Sequence, residues 1–85
     1  MHNNDTYRDA LMDTQNLVSM VNRIGQFFES FSDREEALDA IRQHIRKFWE
    51  PRMRRELLAH LDSGEEQGLS PIVLDALKAQ REAWA

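Results

Sequence analysis

Cysteine is absent from this sequence of 85 residues, and proline and glycine are scarce, with two and three residues respectively. Without thiols the chain has no disulfide and no thiolate ligand for zinc or an iron–sulfur cluster. The small number of turn-forming residues argues against a protein made of many short strands. Because charged residues make up 31% of the chain, the composition is typical of a single helical domain that spans residues 1–85.

Long hydrophobic runs are also absent. No stretch approaches the roughly 20 apolar residues that a membrane-spanning helix needs. The first residues, Met1 to Asp5, lack the basic region and the apolar run of a signal peptide. We therefore expect a cytoplasmic protein with no membrane partner, and the lack of cysteine agrees with a reducing compartment.

Apolar residues recur at helical spacing in the first half of the chain. Between Leu17 and Phe31 the steps alternate between three and four residues, which predicts an amphipathic helix with one continuous apolar face. The face consists of Leu17, Met20, Val21, Ile24, Phe27, Phe28 and Phe31. Gly25 lies within this helix, and its missing side chain predicts a close approach by a neighbouring helix. Tyr7 and Leu11 would extend the same face upstream.

A second helix is predicted after residue 31. Its start has the pattern of a capping box, in which the Ser32 hydroxyl accepts the backbone N–H of Glu35. It should end near Trp49, because Glu50 precedes Pro51 and a residue before proline avoids the helical conformation. The residues predicted to be buried in it are Leu38, Ile41, Ile45 and Phe48.

Two more helices are predicted, and each begins with a proline, a residue favoured at the first helical position. Pro51 opens the third helix, which Gly64 closes. Ser70 caps the fourth helix before Pro71, and Leu69 should pack onto Leu74 across its first turn. The predicted buried residues of the two helices are Met53, Leu57, Leu58 and Leu61, then Val73, Leu74 and Leu77.

The fold predicted from these patterns is all-α, a small bundle of three to four amphipathic helices. Its ordered core should cover about residues 14–77, with residues 1–5 and 78–85 frayed. A core this small is marginal by itself, so a partner is expected to stabilise the chain.

Residues that could form an active site do not come together in the sequence. The histidines, His2, His44 and His60, lack the spacing of metal ligands, and the glycines are too scattered for a phosphate-binding loop. We therefore expect no catalytic residues, no metal and no cofactor. Binding to another protein is the function that remains.

A basic and aromatic segment between the second and third helices is the candidate binding site. The chain as a whole carries a net charge of −4, whereas residues 42–55 contain six basic residues and one acid. Arginines at the start of a helix oppose the helix dipole, and departures from local consistency are typical of functional sites. Tryptophan and arginine are also enriched in binding hot spots. The predicted partner-binding residues are Phe48, Trp49, Glu50, Pro51, Arg52, Arg54 and Arg55, although the periodicity also assigns Phe48 to the core.

Three segments give the chain a family resemblance. They are LVSMVNRIGQFF at residues 17–28, HIRKFWEPRMR at residues 44–54 and GLSPIV at residues 68–73. Together they resemble the delta subunit of soluble NAD-dependent formate dehydrogenases, over roughly residues 17–77. The string from Phe48 to Met53 is the most specific part, whereas Val21 and Arg23 depart from the family's Met-Ala-Asn-Gln.

The resemblance implies a non-catalytic accessory subunit without a cofactor of its own. In this family's complex the alpha subunit carries the molybdenum or tungsten pterin and oxidises formate, and electrons pass through iron–sulfur clusters to a flavin subunit that reduces NAD. The partner implied is the catalytic alpha subunit, whose assembly or stability the delta subunit would support.

Two other functions are compatible with the same residues. A nucleic-acid-binding protein would use the basic residues 42–55 on phosphates, with a steep dependence on salt; the overall acidity argues against a nucleic acid partner. A small regulator that associates with itself would use the apolar faces, and a homodimer of the isolated chain is also expected on this basis.

Overall fold

The computed structural model describes residues 13–64 and 68–84, with the side chains of 80–84 excepted. All regular structure in these ranges is α-helical, so the predicted all-α fold is confirmed. The helices are α1 (Thr14–Phe28), α2 (Arg34–Phe48), α3 (Pro51–Asp62) and α4 (Pro71–Trp84). The helical backbone of α4 reaches Trp84, and the predicted fraying of residues 78–85 stays a prediction. None of the helices described is long and apolar enough to cross a membrane.

Aspartates cap the first two helices. Asp13 caps α1, and its carboxylate accepts the backbone N–H of Gln15 at 2.9 Å; the predicted extension of the helix to Tyr7 and Leu11 lies outside the described residues. The prediction that Ser32 caps the second helix is wrong. Asp33 is the cap of α2, and its carboxylate accepts the N–H groups of Glu35 and Glu36. A charged acceptor at the positive end of the helix dipole is the stronger cap.

The last two helices begin at Pro51 and Pro71 as predicted. Gly64 follows the end of α3 with a positive φ of 83°, a conformation that glycine adopts without strain. The start of α4 is fastened to α1 by Asn22. The Asn22 side-chain amide donates to the Gly68 carbonyl, and its Oδ1 accepts the backbone N–H of Ser70 at 3.0 Å.

The core lies where all four helices meet, and α1 and α4 each contact the other three. The largest side chains that are fully buried are Leu17, Val21, Ile41, Ile45, Leu57, Val73 and Leu77. At Gly25, α1 and α4 are in close contact, since a Cβ at that position would lie 2.7 Å from Cγ2 of Val73. The predicted close approach at Gly25 is therefore confirmed.

Burial at the edges of the core differs from the sequence pattern. Phe27, Phe31 and Phe48 are exposed, although the periodicity assigned all of them to buried faces. On α4, Ile72 and Ala76 are buried, whereas Leu74 is only partly buried. The aromatic residues therefore contribute less to the core than predicted, and small aliphatic residues of α4 contribute more.

Candidate docking surface

The predicted binding segment forms the corner between α2 and α3. Trp49 ends α2 with an extended backbone, φ −95° and ψ 139°, and its N–H donates to the carbonyl of Ile45. Glu50 is extended as well, and it precedes Pro51 without making a side-chain cap. The chain therefore changes direction over two residues, and everything on either side of them is helical.

Two adjacent aromatic residues at this corner have opposite environments. Trp49 is 6% exposed and belongs to the core cluster that includes Met53, whereas Phe48 is 72% exposed. The prediction that Phe48 is buried is thus wrong. Phe48 and Trp49 lie three and four residues after the buried Ile45, and both spacings fit the period of a helix. The structure buries Trp49 and leaves Phe48 exposed. Trp49 was predicted to contact a partner, and the structure places its side chain inside the fold.

Arg54 has a partner within the chain. One guanidinium nitrogen, Nη1, donates to the carbonyl of Trp49 at 2.6 Å and to that of Arg46 at 3.3 Å. These carbonyls lie at the end of α2, where the helix dipole favours a positive charge. The sequence argument that Arg54 opposes the dipole of its own helix omits this stabilising contact with the preceding one.

The remaining predicted site residues face solvent. We define the outer corner as the exposed residues Phe48, Glu50, Pro51, Arg52 and Arg55. In the described part of the chain, the Arg52 and Arg55 side chains form no hydrogen bond or ion pair. Arg46 and Lys47, in the last turn of α2, are exposed too. The outer corner is therefore a basic surface with an exposed phenylalanine on it.

Aromatic rings continue from Phe48 across to α1. We define the aromatic surface as Phe27, Phe28, Phe31, His44 and Phe48. The ring centroids of His44 and Phe48 are 4.9 Å apart, and those of His44 and Phe28 are 6.3 Å apart. Phe28 also makes edge-to-face contacts with Phe27 at 4.9 Å and with Phe31 at 5.2 Å. The rings form one connected cluster between the end of α1 and the end of α2.

The outer rings of this cluster are open to solvent. Phe27 is 68% exposed and Phe31 is 41% exposed, whereas Phe28 is partly buried against the core. Phe27 was missing from the predicted site residues, and the helical period gave no signal of its exposure. Adjacent residues of a helix point about 100° apart, and an apolar face can be that wide; Leu17 and Val18 of the same helix are both buried.

The histidines are separated from one another. His44 takes part in the aromatic surface, and His60 lies on α3 with its Nε2 atom buried and without a hydrogen-bond partner in the described part of the chain. Residues 13–64 and 68–84 contain no group of three or more His, Asp or Glu side chains that could hold a metal ion. His2 lies outside the described residues.

The family model for the NADH-dependent formate dehydrogenase delta subunit, FdsD, matches residues 16–77. The chain belongs to this family. The match runs from the first turn of α1 into α4, so it includes the outer corner and the whole aromatic surface. No curated protein and no solved structure matches the chain.

Membership in this family indicates that the chain is a subunit of a larger enzyme. A delta subunit is one component of a multi-subunit formate dehydrogenase, which implies that this chain has partner subunits. The resemblance identified in the sequence is thereby confirmed. The chain has two adjoining exposed surfaces, the outer corner and the aromatic surface.

Proposed function

We propose that this chain is a non-catalytic accessory subunit that docks on the catalytic alpha subunit of formate dehydrogenase and supports its assembly or stability. The observation that carries this proposal is the outer corner, where Arg52 and Arg55 are exposed and unpaired within the described chain. Isolated exposed arginines are common on any surface. Here they adjoin an exposed phenylalanine, and the corner lies inside the range matched by the delta subunit family.

Arginines of this kind suit a specific acidic site on a protein. A guanidinium group can donate two parallel hydrogen bonds to one carboxylate, and arginine is among the residues that dominate binding energy at interfaces. Trp49 is buried, and Arg54 forms a hydrogen bond within the chain. The residues of the segment proposed to contact the partner are therefore Phe48, Arg52 and Arg55. The proposed docking site therefore contains fewer residues than the binding segment predicted from the sequence.

The test replaces Arg52→Gln and Arg55→Gln together and measures binding of the purified chain to the catalytic alpha subunit. We expect the affinity to fall by about tenfold or more, with less active complex recovered and unchanged helicity in the isolated chain. The matched control is Ser19→Glu with Ala79→Glu. It shifts the net charge by the same amount at exposed positions of α1 and α4, and it should leave binding unchanged.

The salt dependence separates the proposed partner from nucleic acid. Binding through a few arginines at a protein interface should weaken moderately as salt screens exposed charges. The isolated chain should not bind a DNA duplex at physiological salt, because the net charge of −4 opposes it. Full binding to the alpha subunit by the Arg52→Gln, Arg55→Gln variant would show that the outer corner is not the docking site.

A further inference from the structure

The aromatic surface leaves a large apolar area in contact with solvent. Together, Phe27, Phe31 and Phe48 expose nearly as much surface as two fully exposed phenylalanines. At about 200 Å² for each phenylalanine, the exposed area is on the order of 350 Å². Patches of about 300–600 Å² on a small protein are often functional. The three rings are held together through Phe28 and His44, so they form one site.

A second copy of this chain is a poor occupant for this surface. Two such patches facing each other would bury about 700 Å² in total, which is well below the roughly 1,200 Å² of a stable interface. Exposed cations also occur close to the rings in the sequence. Arg23 lies one turn before Phe27, and Lys47 precedes Phe48. Because the rings alone would not give a stable dimer, a second copy would have to bury the outer corner too, which would bring Arg52 and Arg55 towards the same basic surface of the other copy.

The aromatic surface is also continuous with the outer corner, because Phe48 belongs to both. Protein interfaces commonly have an apolar centre and a polar rim. With the aromatic surface as centre, the outer corner with its exposed Arg52 and Arg55 forms the polar rim on the Phe48 side, and its charge is basic despite Glu50. The complementary surface is then apolar in its middle and acidic at its edge.

We propose that the aromatic surface is the apolar centre of the interface with the catalytic subunit, and that the partner segment seated on it carries apolar side chains flanked by aspartate or glutamate. This inference rests on the proposed function and adds to it the site of the apolar contact and the chemistry of the partner segment. The arginines of the outer corner then direct and orient a contact whose buried part lies on Phe27, Phe31 and Phe48.

Photo-crosslinking in the assembled enzyme tests this directly. The variants Phe27→p-benzoylphenylalanine and Phe48→p-benzoylphenylalanine are expressed with the complete formate dehydrogenase, irradiated, and the linked peptides sequenced. Both positions should link to the catalytic subunit, at apolar residues that have an acidic residue within one helical turn. Ser19→p-benzoylphenylalanine, at an exposed position of α1 about two helical turns before Phe27, should give links at least about tenfold weaker. Links to a second copy of this chain, to a peptide without acidic residues, or at the level of the Ser19 control would overturn the inference.

A binding measurement separates this inference from the proposed function. Phe27→Ser with Phe48→Ser should weaken binding to the catalytic subunit by about thirtyfold or more, whereas Gln26→Ser with Gln43→Ser, exposed positions on the same helices, should have no effect. If the serine variant binds normally while Arg52→Gln with Arg55→Gln binds poorly, the aromatic centre is refuted and the proposed function stands. If the unaltered chain does not bind the catalytic subunit at all, the proposed function itself fails.

Discussion

The corner between α2 and α3 has an inner side and an outer side that are built from the same kinds of residue. The inner side holds Trp49 and Met53 in the core, and Arg54 across the end of α2. The outer side presents Phe48 and Arg52 to solvent. Each side thus has an aromatic residue and an arginine. Those of the inner side contact other parts of the fold, whereas those of the outer side face solvent. Residue type alone therefore does not tell whether a residue is structural or available for binding.

What separates the two sides is the extended backbone at Trp49 and Glu50. The chain turns there, and the Trp49 side chain joins the core cluster that contains Met53 of α3. Phe48, the last residue of α2, stays outside that contact. The comparison predicts that substitutions on the inner side lower stability, and that substitutions on the outer side lower binding.

The largest expected effect is at Trp49. Trp49→Ala should lower the free energy of unfolding by about 3–5 kcal/mol, the range found when a large buried aromatic side chain is removed. For an 85-residue domain this is a large part of the total stability. Urea denaturation followed by circular dichroism measures it.

Phe48→Ala is the matched control, because it removes a neighbouring aromatic ring that is exposed. Its free energy of unfolding should stay within about 0.5 kcal/mol of the unaltered chain. Equal losses for Trp49→Ala and Phe48→Ala would contradict the division of the corner into an inner and an outer side.

A smaller loss of stability is expected at Gly25, on the face of α1 that touches α4. A Cβ there would lie 2.7 Å from Cγ2 of Val73 and 3.2 Å from Cγ2 of Ile72, and both neighbours are stiff β-branched side chains. Gly25→Val should therefore destabilise the chain by about 2 kcal/mol, even though valine favours a helix more than glycine does.

The neighbours of Gly25 supply the controls for that prediction. Gln26→Val, on the next and exposed position, should be tolerated within about 0.5 kcal/mol. Gly25→Val should also be less harmful when it is combined with Val73→Ala, which removes the crowded methyl groups. Thermal denaturation of the unaltered chain, of Gly25→Val and Val73→Ala singly, and of the double variant gives the coupling energy. A Gly25→Val chain as stable as the unaltered one would show that α1 and α4 are not in close contact.

Local chemistry made the helix boundaries predictable. Proline at the first helical position fixes its own φ, so Pro51 and Pro71 mark the starts of α3 and α4 whatever packs around them. The cap of α2 was misassigned because Ser32 and Asp33 are adjacent and both can accept backbone N–H groups. Only the register of the helix decides between them, and it favours Asp33.

The sides of the corner could not be predicted in the same way. Phe48 and Trp49 both fit the period of α2, and the choice depends on which side chain joins the core cluster, which is a matter of tertiary packing. The partner of Arg54 is likewise on the preceding helix. The period of α1 likewise does not separate Phe27 from Phe28, because neighbouring residues such as Leu17 and Val18 can both be buried. The sequence therefore indicated a candidate segment, whose docking role stays a prediction, and its outward residues became distinguishable only in the folded structure.

The smallest expected effect is at Arg54, which the sequence grouped with the exposed arginines. Arg54→Met keeps most of the aliphatic stem but removes the donors to the Trp49 and Arg46 carbonyls. It should lower the free energy of unfolding by about 1 kcal/mol, as expected for a hydrogen bond that is partly open to water. Arg55→Met, its exposed neighbour, should change stability by less than about 0.5 kcal/mol. Binding should show the reverse order, with Arg55→Met the more harmful of the two. A contrary result would be an Arg54→Met chain that is as stable as the unaltered one and binds less well than the Arg55→Met chain. Arg54 would then belong to the outer side, and its contact with the end of α2 would not contribute to stability.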